Sequence, residues 1–275
     1  MNKVRFHYGY PISIDIDTEK QVDVYIDQIP PAPVADGNLQ IVILEESRKG
    51  DLFKFFVDQK NNNLYTHLLT FYEEILASNS KAQLFHFPNL WVKSYNPNKT
   101  FTVSTVVGGK KDKEHISEGY ALRHELWHNR HLINLNKKFY LSGMARHSHK
   151  FVPWKDVSYK GELVLGADKR PLFDSMFHIA IENTSIKNYF SEKLLDCFRT
   201  KTVPIYYGCT NIDEYFNIDG IFQVKSVREI IRVCNHINSS TYDEMLPAIE
   251  DNHKRSFAWG EPFEMLKEKI KTLIQ

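Results

Sequence analysis

Two hydrophobic patterns alternate along this chain: short apolar runs bounded by turn residues, and stretches in which apolar residues recur every three or four positions. The first predicts strands and the second helices. Residues 21–27 (QVDVYID) alternate and 39–44 (LQIVIL) are nearly continuous, so both predict strands. Between them 29–37 (IPPAPVADG) predicts a loop, because proline cannot donate to a ladder and glycine accepts turn geometry. Residues 51–57 and 65–76 suit either helix or strand, with Asn61, Asn62 and Asn63 breaking both. Residues 83–86 and 90–92 predict a last strand and its exit. Asn96-Pro97-Asn98 is the best linker, which divides the chain into domains at 1–98 and 99–275.

Beyond the linker, 100–107 (TFTVSTVV) predicts a strand ending in Gly108-Gly109-Lys110-Lys111, and 118–131 predicts a helix. Residues 139–142 predict another strand, followed by a basic loop with Arg146, His147, His149 and Lys150. That loop has two readings, a clasp over a diphosphate or a solvated surface turn. The run 176–181 (MFHIAI) is too short for a capped helix and suits a parallel strand covered on both faces. It stops at Glu182-Asn183. Ser191 then caps a helix with Leu194, Leu195 and Phe198 on one face, and Pro204 to Gly208 ends the next strand. After a short strand at 221–224, Ser226-Val227-Arg228-Glu229 forms a capping box, 241–244 repeats the signature, and Pro262 opens a terminal amphipathic helix. Strands alternating with helices predict an α/β fold with parallel sheets.

Composition narrows the function classes. The 275 residues are 42% hydrophobic and 25% charged, with a formal net charge of +1. That balance gives no electrostatic case for nucleic acid or an anionic membrane. No stretch approaches the roughly twenty apolar residues of a membrane span, and the N-terminus lacks a signal-peptide run, so a cytoplasmic location is expected. Cys197, Cys209 and Cys234 are odd in number and lack metal spacing, which favours small buried residues over a disulfide framework.

Three stretches carry candidate chemistry. The first turn of the helix capped by Ser191 is an expected anion site, since its N–H groups and the dipole favour phosphate and Lys193 adds a full charge that needs an anionic partner. His124-Glu125-Leu126-Trp127-His128 is a literal HExxH, in which histidines at i and i+4 can share zinc. Against a zinc peptidase stand the flanking Arg123 and Arg130 and the missing third ligand. Asp15-Ile16-Asp17 spells a DxD, but nothing nearby in the sequence completes a metal shell.

The stretch from 176 to 217 resembles glycosyltransferase family 10, the α1,3/α1,4-fucosyltransferases. A phenylalanine-bearing strand ends in Glu182-Asn183, and Tyr189-Phe190-Ser191-Glu192-Lys193 reads as the family's Tyr-x-x-Glu-Lys. The likeness continues through Asp196, the strand end Pro204-Ile205-Tyr206-Tyr207-Gly208, and the segment from Asn211 to Phe216-Asn217. It thins upstream to Thr100 and so speaks chiefly for the second half of the chain.

The resemblance implies a GT-B-type fold of two Rossmann-like lobes, the first binding an oligosaccharide or glycan acceptor and the second a nucleotide sugar. It implies inverting, metal-independent transfer of L-fucose from GDP-fucose to a sugar hydroxyl. Tyr189, Glu192 and Lys193 match the family's donor-binding residues, with Glu182 and Asn183 shaping the same pocket. Arg123 is the candidate for the family's donor-binding arginine, and Arg146 in the basic loop is a further donor-site candidate. The general base must come from the first lobe. Glu45 and Glu46, at the end of LQIVIL, and His86 are its candidates, with Glu46 preferred. A transferase using another nucleotide sugar, a non-catalytic glycan-binding module and the zinc peptidase are the alternatives.

Overall fold

The computed structural model describes residues 2–7, 14–94, 96–108, 117–142 and 163–274. The chain divides into two compact units, the first made of Met1–Asn89, Lys187–Tyr189 and Glu261–Gln275, the second of Leu90–Ile186 and Phe190–Gly260. The division falls at residue 89, ahead of the expected linker at 96–98. The terminal helix, assigned by sequence to the second domain, groups with the first unit.

In the first unit, β1 (Asn2–Lys3) pairs antiparallel with β3 (Asp15–Ile16). The main sheet holds β2 (Arg5–Phe6), β4 (Val22–Ile26), β5 (Leu39–Leu44), β6 (His67–Thr70) and β7 (Ala82–Leu84), all parallel and in chain order. The ambiguous stretches resolve into α1 (Asp51–Val57), a 3-10 turn (Gln59–Leu64), β6 and α2 (Glu73–Ser78). Gly37 takes a φ of +78° in the proline-rich loop, a conformation only glycine adopts without strain.

A parallel sheet wound in sequential order by right-handed crossovers puts its connecting helices on one face and leaves the other bare. Leu266 and Ile270 of the terminal helix α8 (Pro262–Ile274) fill that need, packing with Val22, Val24, Ile26, Leu39, Ile41 and Ile43. Both are fully buried, each worth about 1.5–3 kcal/mol. This is why α8 belongs to a sheet whose strands β4 and β5 lie more than 200 residues upstream in sequence.

The second unit carries a six-stranded, all-parallel sheet. Its strands are β8 (Thr100–Val107), β9 (Lys137–Ser142), β10 (Leu163–Leu165), β11 (Ser175–Ile181), β12 (Val203–Tyr207) and β13 (Phe222–Gln223), in the spatial order β10-β9-β8-β11-β12-β13. Helices α3 (Glu118–Asn129), α4 (Glu192–Arg199), α5 (Val227–His236), α6 (Ser239–Glu244) and α7 (Leu246–Arg255) connect or flank these strands. One cluster, with Trp127, Phe177 and Ile230, fills one side of the sheet. Another, with Leu194, Phe198 and Tyr206, fills the other. Tyr206 and Tyr207 therefore enter opposite cores, as a strand covered on both faces requires. The Ser226 cap forms as expected, whereas α6 is capped by Asn238 rather than opening at Thr241.

Candidate functional site

From β8 the second sheet grows first to one side, through β9 and β10, and then to the other, through β11, β12 and β13. The strand order reverses between β8 and β11, and an open α/β sheet forms a ligand crevice beyond the carboxyl ends of its strands at that switch point. A cavity of about 580 Å³ lies there, walled by the ends of β8, β9, β10 and β11. Arg123, Lys169, Glu192 and Lys193 bring charge to it, and Trp91 an aromatic wall.

The strand end and the helix start that frame this cavity are fastened by one carboxylate. Glu182, fully buried just past β11, accepts from the Ser191 amide at 2.8 Å and the Ser191 hydroxyl at 2.6 Å. The Ser191 hydroxyl in turn accepts from the Lys193 amide. Lys193, 28% exposed, places its Nζ 3.0 Å from Glu192 Oε1 and 3.5 Å from Glu182 Oε2. The Lys193 charge at the helix start is thus met by a pair of protein carboxylates. Burial pushes the Glu182 carboxyl above its usual range, against the pull of Lys193. Burial also opposes ionisation of Glu192, but Lys193 and, less strongly, Lys169 hold it below the ordinary carboxylate value.

Arg123 sits on α3 facing the cavity, and its guanidinium also ties the end of β11. Its Nε donates to the Ile181 carbonyl at 3.1 Å, and its Nη2 donates to that carbonyl and to Asn183 Oδ1 at 3.0 Å. The approach of α3 to β11 depends on Gly119, whose amide donates to the Asn183 carbonyl at 3.0 Å. A Cβ there would lie 1.7 Å from the Glu182 carbonyl oxygen. His178, inside β11, bonds Ser104 Oγ through Nδ1 at 2.8 Å, and burial drops its pKa to about 3, so it faces the cavity neutral.

Sequence reasoning missed Lys169 and Trp91 as cavity residues and Asp196 as the anchor of the Trp91 backbone. Lys169 Nζ stands 3.3 Å from the centroid of the Trp91 ring. Burial lowers its pKa, opposed by Glu192 and Asp196. Asp196 Oδ1, on α4, accepts from the Trp91 and Val92 amides at 2.9 and 3.1 Å. Burial raises the Asp196 pKa to about 7, despite those two donors. Because the folded value lies above the ordinary 3.8, the stability this group contributes is full below that value and lost as pH rises through about 7. Asp196→Asn keeps an acceptor for both amides and carries no charge. It is expected to flatten the decline in Tm between about pH 4 and 7 and to stabilise the protein at pH 8 by about 2–4 kcal/mol. An unchanged Tm profile in this variant would show that other groups set the slope.

The base candidates lie in the first unit. Glu45 and Glu46 follow β5, and both their amides donate to Asp27 Oδ1, at 2.8 and 2.9 Å. Asp27, immediately after β4, has a φ of +48° and a carboxyl raised by burial against those two bonds. It is the positioning residue for the acidic pair, legible in sequence only as the last letter of QVDVYID. The Glu46 carboxylate is 37% exposed and bonds Arg48 Nη2 at 3.1 Å. His86 is buried, and that burial lowers its pKa to about 4.

Tyr189 groups with the first unit, its ring 5.0 Å from that of Phe71, and it is not among the described residues lining the cavity. Arg146 and the rest of the basic loop, with Gly109, Lys110 and Lys111, lie outside the described residues. In the HExxH stretch Glu125 and His128 are exposed on α3, and among the described residues no group of three metal-ligating side chains forms there or around the DxD.

Comparisons with known proteins agree with this geometry. Among solved structures, a mutant of S. aureus TarM in complex with fondaparinux, alpha-GlcNAc-glycerol and UDP matches with a TM-score of 0.56 at 11% identity, over 92% of this chain and 55% of that one. The pneumococcal O-GlcNAc transferase GtfA, in complex with UDP and GlcNAc, matches at 0.51 and 12% identity, over 92% and 56%. An alpha1,3-fucosyltransferase with GDP matches at 0.50 and 15% identity, over 92% and 79%. The chain thus spans about half the length of the first two. No curated protein matches it in sequence. Two α/β units with parallel sheets, shared with these enzymes, make the fold that of the GT-B glycosyltransferases. Residues 166–273 match the family model described as Glycosyltransferase family 10 (fucosyltransferase) C-term.

Proposed function

We propose that the protein is an inverting glycosyltransferase that takes L-fucose from GDP-fucose and transfers it to a hydroxyl of a glycan acceptor. The observation that carries this reading is the overlap of the family match with the cavity. Residues 166–273 supply more than half of the lining at the switch point, including Lys169, Glu192 and Lys193. In this reading Lys193 neutralises charge on the departing diphosphate and Lys169 adds a second cation. Glu192 accepts hydrogen bonds from donor hydroxyls, and Asn183, held by Arg123, shapes the adjoining wall. No metal is assigned a role, and Tyr189 and Arg146 remain donor-site proposals.

As the acceptor hydroxyl attacks the anomeric carbon, its proton passes to a base and the bond to the diphosphate breaks. Glu46 is the proposed base, since its carboxylate is open to an acceptor and its backbone is fixed by Asp27. His86, more deeply buried, is the second candidate.

A thermal-shift panel of GDP and UDP sugars tests the donor. Stabilisation by GDP-fucose above all others is the expected result. Preference for a UDP sugar would reassign the donor, and no response to any would favour a glycan-binding module. Lys193→Ala is expected to weaken GDP binding by about 1.5–3 kcal/mol, the loss of one charge-assisted contact. It also strips the buried Glu182 of its counter-charge, so Tm falls too. The double variant Lys193→Ala, Glu182→Gln is expected to recover part of the Tm but none of the affinity. GDP binding as tight as wild type in a folded Lys193→Ala would rule out the phosphate role.

A further inference from the structure

We propose that Trp91 is the platform on which the base of the bound nucleotide stacks, an inference that rests on the donor-site reading above. Trp91 leaves 59% of its surface exposed although it belongs to a segment tightly fixed in the fold. Its amide and that of Val92 are held by the buried Asp196 carboxylate, and Val92 is itself buried in the core beside α4. The chain therefore positions an indole it does not use for packing. That indole walls the cavity and is the sole Trp, Tyr or Phe among the described residues lining it.

The remaining lining divides by chemistry. Arg123, Lys169 and Lys193 offer positive charge, and the strand ends offer aliphatic and small side chains. A nucleoside diphosphate needs both cations for its phosphates and a flat π surface for its base. Of the described lining residues, Trp91 alone provides a large aromatic face. One face of the ring holds the Lys169 ammonium, 3.3 Å from the centroid, so a base would stack on the opposite face of this largely exposed indole. A volume of about 580 Å³ is within the usual range for small-molecule sites.

Stacking does not read base identity, so loss of the ring should weaken any nucleotide and spare a ligand without a base. Calorimetric titration of the full chain with GDP, UDP and inorganic diphosphate separates these cases in wild type, Trp91→Ala and Trp91→Phe. Trp91→Ala is expected to bind GDP about ten- to a hundredfold more weakly, as for removal of a base-stacking aromatic, with UDP also weakened. Its diphosphate affinity should stay unchanged, and Trp91→Phe should keep most of the GDP affinity. Because the side chain is largely exposed, Tm should hold in both variants. Equal GDP affinity in wild type and Trp91→Ala would overturn the platform alone, as would an equal loss for GDP and diphosphate. Failure of the wild type to bind any nucleotide would overturn the donor reading and the platform with it.

Discussion

Gly119→Ala is expected to abolish nucleotide binding and to destabilise the second unit by more than about 4 kcal/mol. The added Cβ would sit 1.7 Å from the Glu182 carbonyl oxygen and 2.8 Å from both the Glu182 carbonyl carbon and the Asn183 oxygen. These are backbone atoms at the end of a central strand, so no side-chain rotation relieves the overlap. To restore normal contact α3 must move by more than an ångström, which breaks the bond from the Gly119 amide to Asn183. The same shift pulls Arg123 from the Ile181 carbonyl and from Asn183. Gly50→Ala is the control, because a Cβ there meets nothing within 4 Å. A thermal melt with GDP titration reads both effects. Wild-type Tm and affinity in Gly119→Ala would mean that the α3 approach has slack the geometry does not show.

Glu46→Gln is expected to lower turnover by roughly 10²-fold or more while leaving GDP-fucose affinity intact, the scale of losing a general base. The amide preserves size and backbone position, because the anchor is Asp27 acting on the Glu45 and Glu46 amides rather than on the side chain. Binding and chemistry therefore separate in the measurement: calorimetry for the donor, initial rates with acceptor for turnover. Normal turnover in Glu46→Gln, with loss in His86→Ala, would move the base to His86 and require that buried ring to become accessible. Glu45→Gln shares the anchor and tests whether the second carboxylate carries the role.

Much of the second unit was legible because its information is local. Continuous apolarity over 176–181 marks a strand buried on both faces, and Ser191 three residues ahead of Leu194 marks a capped helix. Burial and capping act within a few residues, so the pattern writes them directly. The resemblance at Glu182-Asn183 and Tyr189 to Lys193 fell on the same stretch, and the family match over 166–273 covers it. Four roles were decided only by tertiary structure, because each depends on residues far apart in sequence. Lys193 reads as a lone cation against a dipole until the fold returns Glu182 to it from eleven positions upstream. Trp91 reads as part of a strand exit until Asp196, more than a hundred residues later, fixes its backbone at the cavity wall. Gly119 reads as an ordinary helix residue until the end of β11 arrives against it. The amphipathic pattern of α8 announces a buried face without naming its partner. The bare side of a sequentially wound sheet supplies that partner, and only the order of strands in space shows that the side is bare.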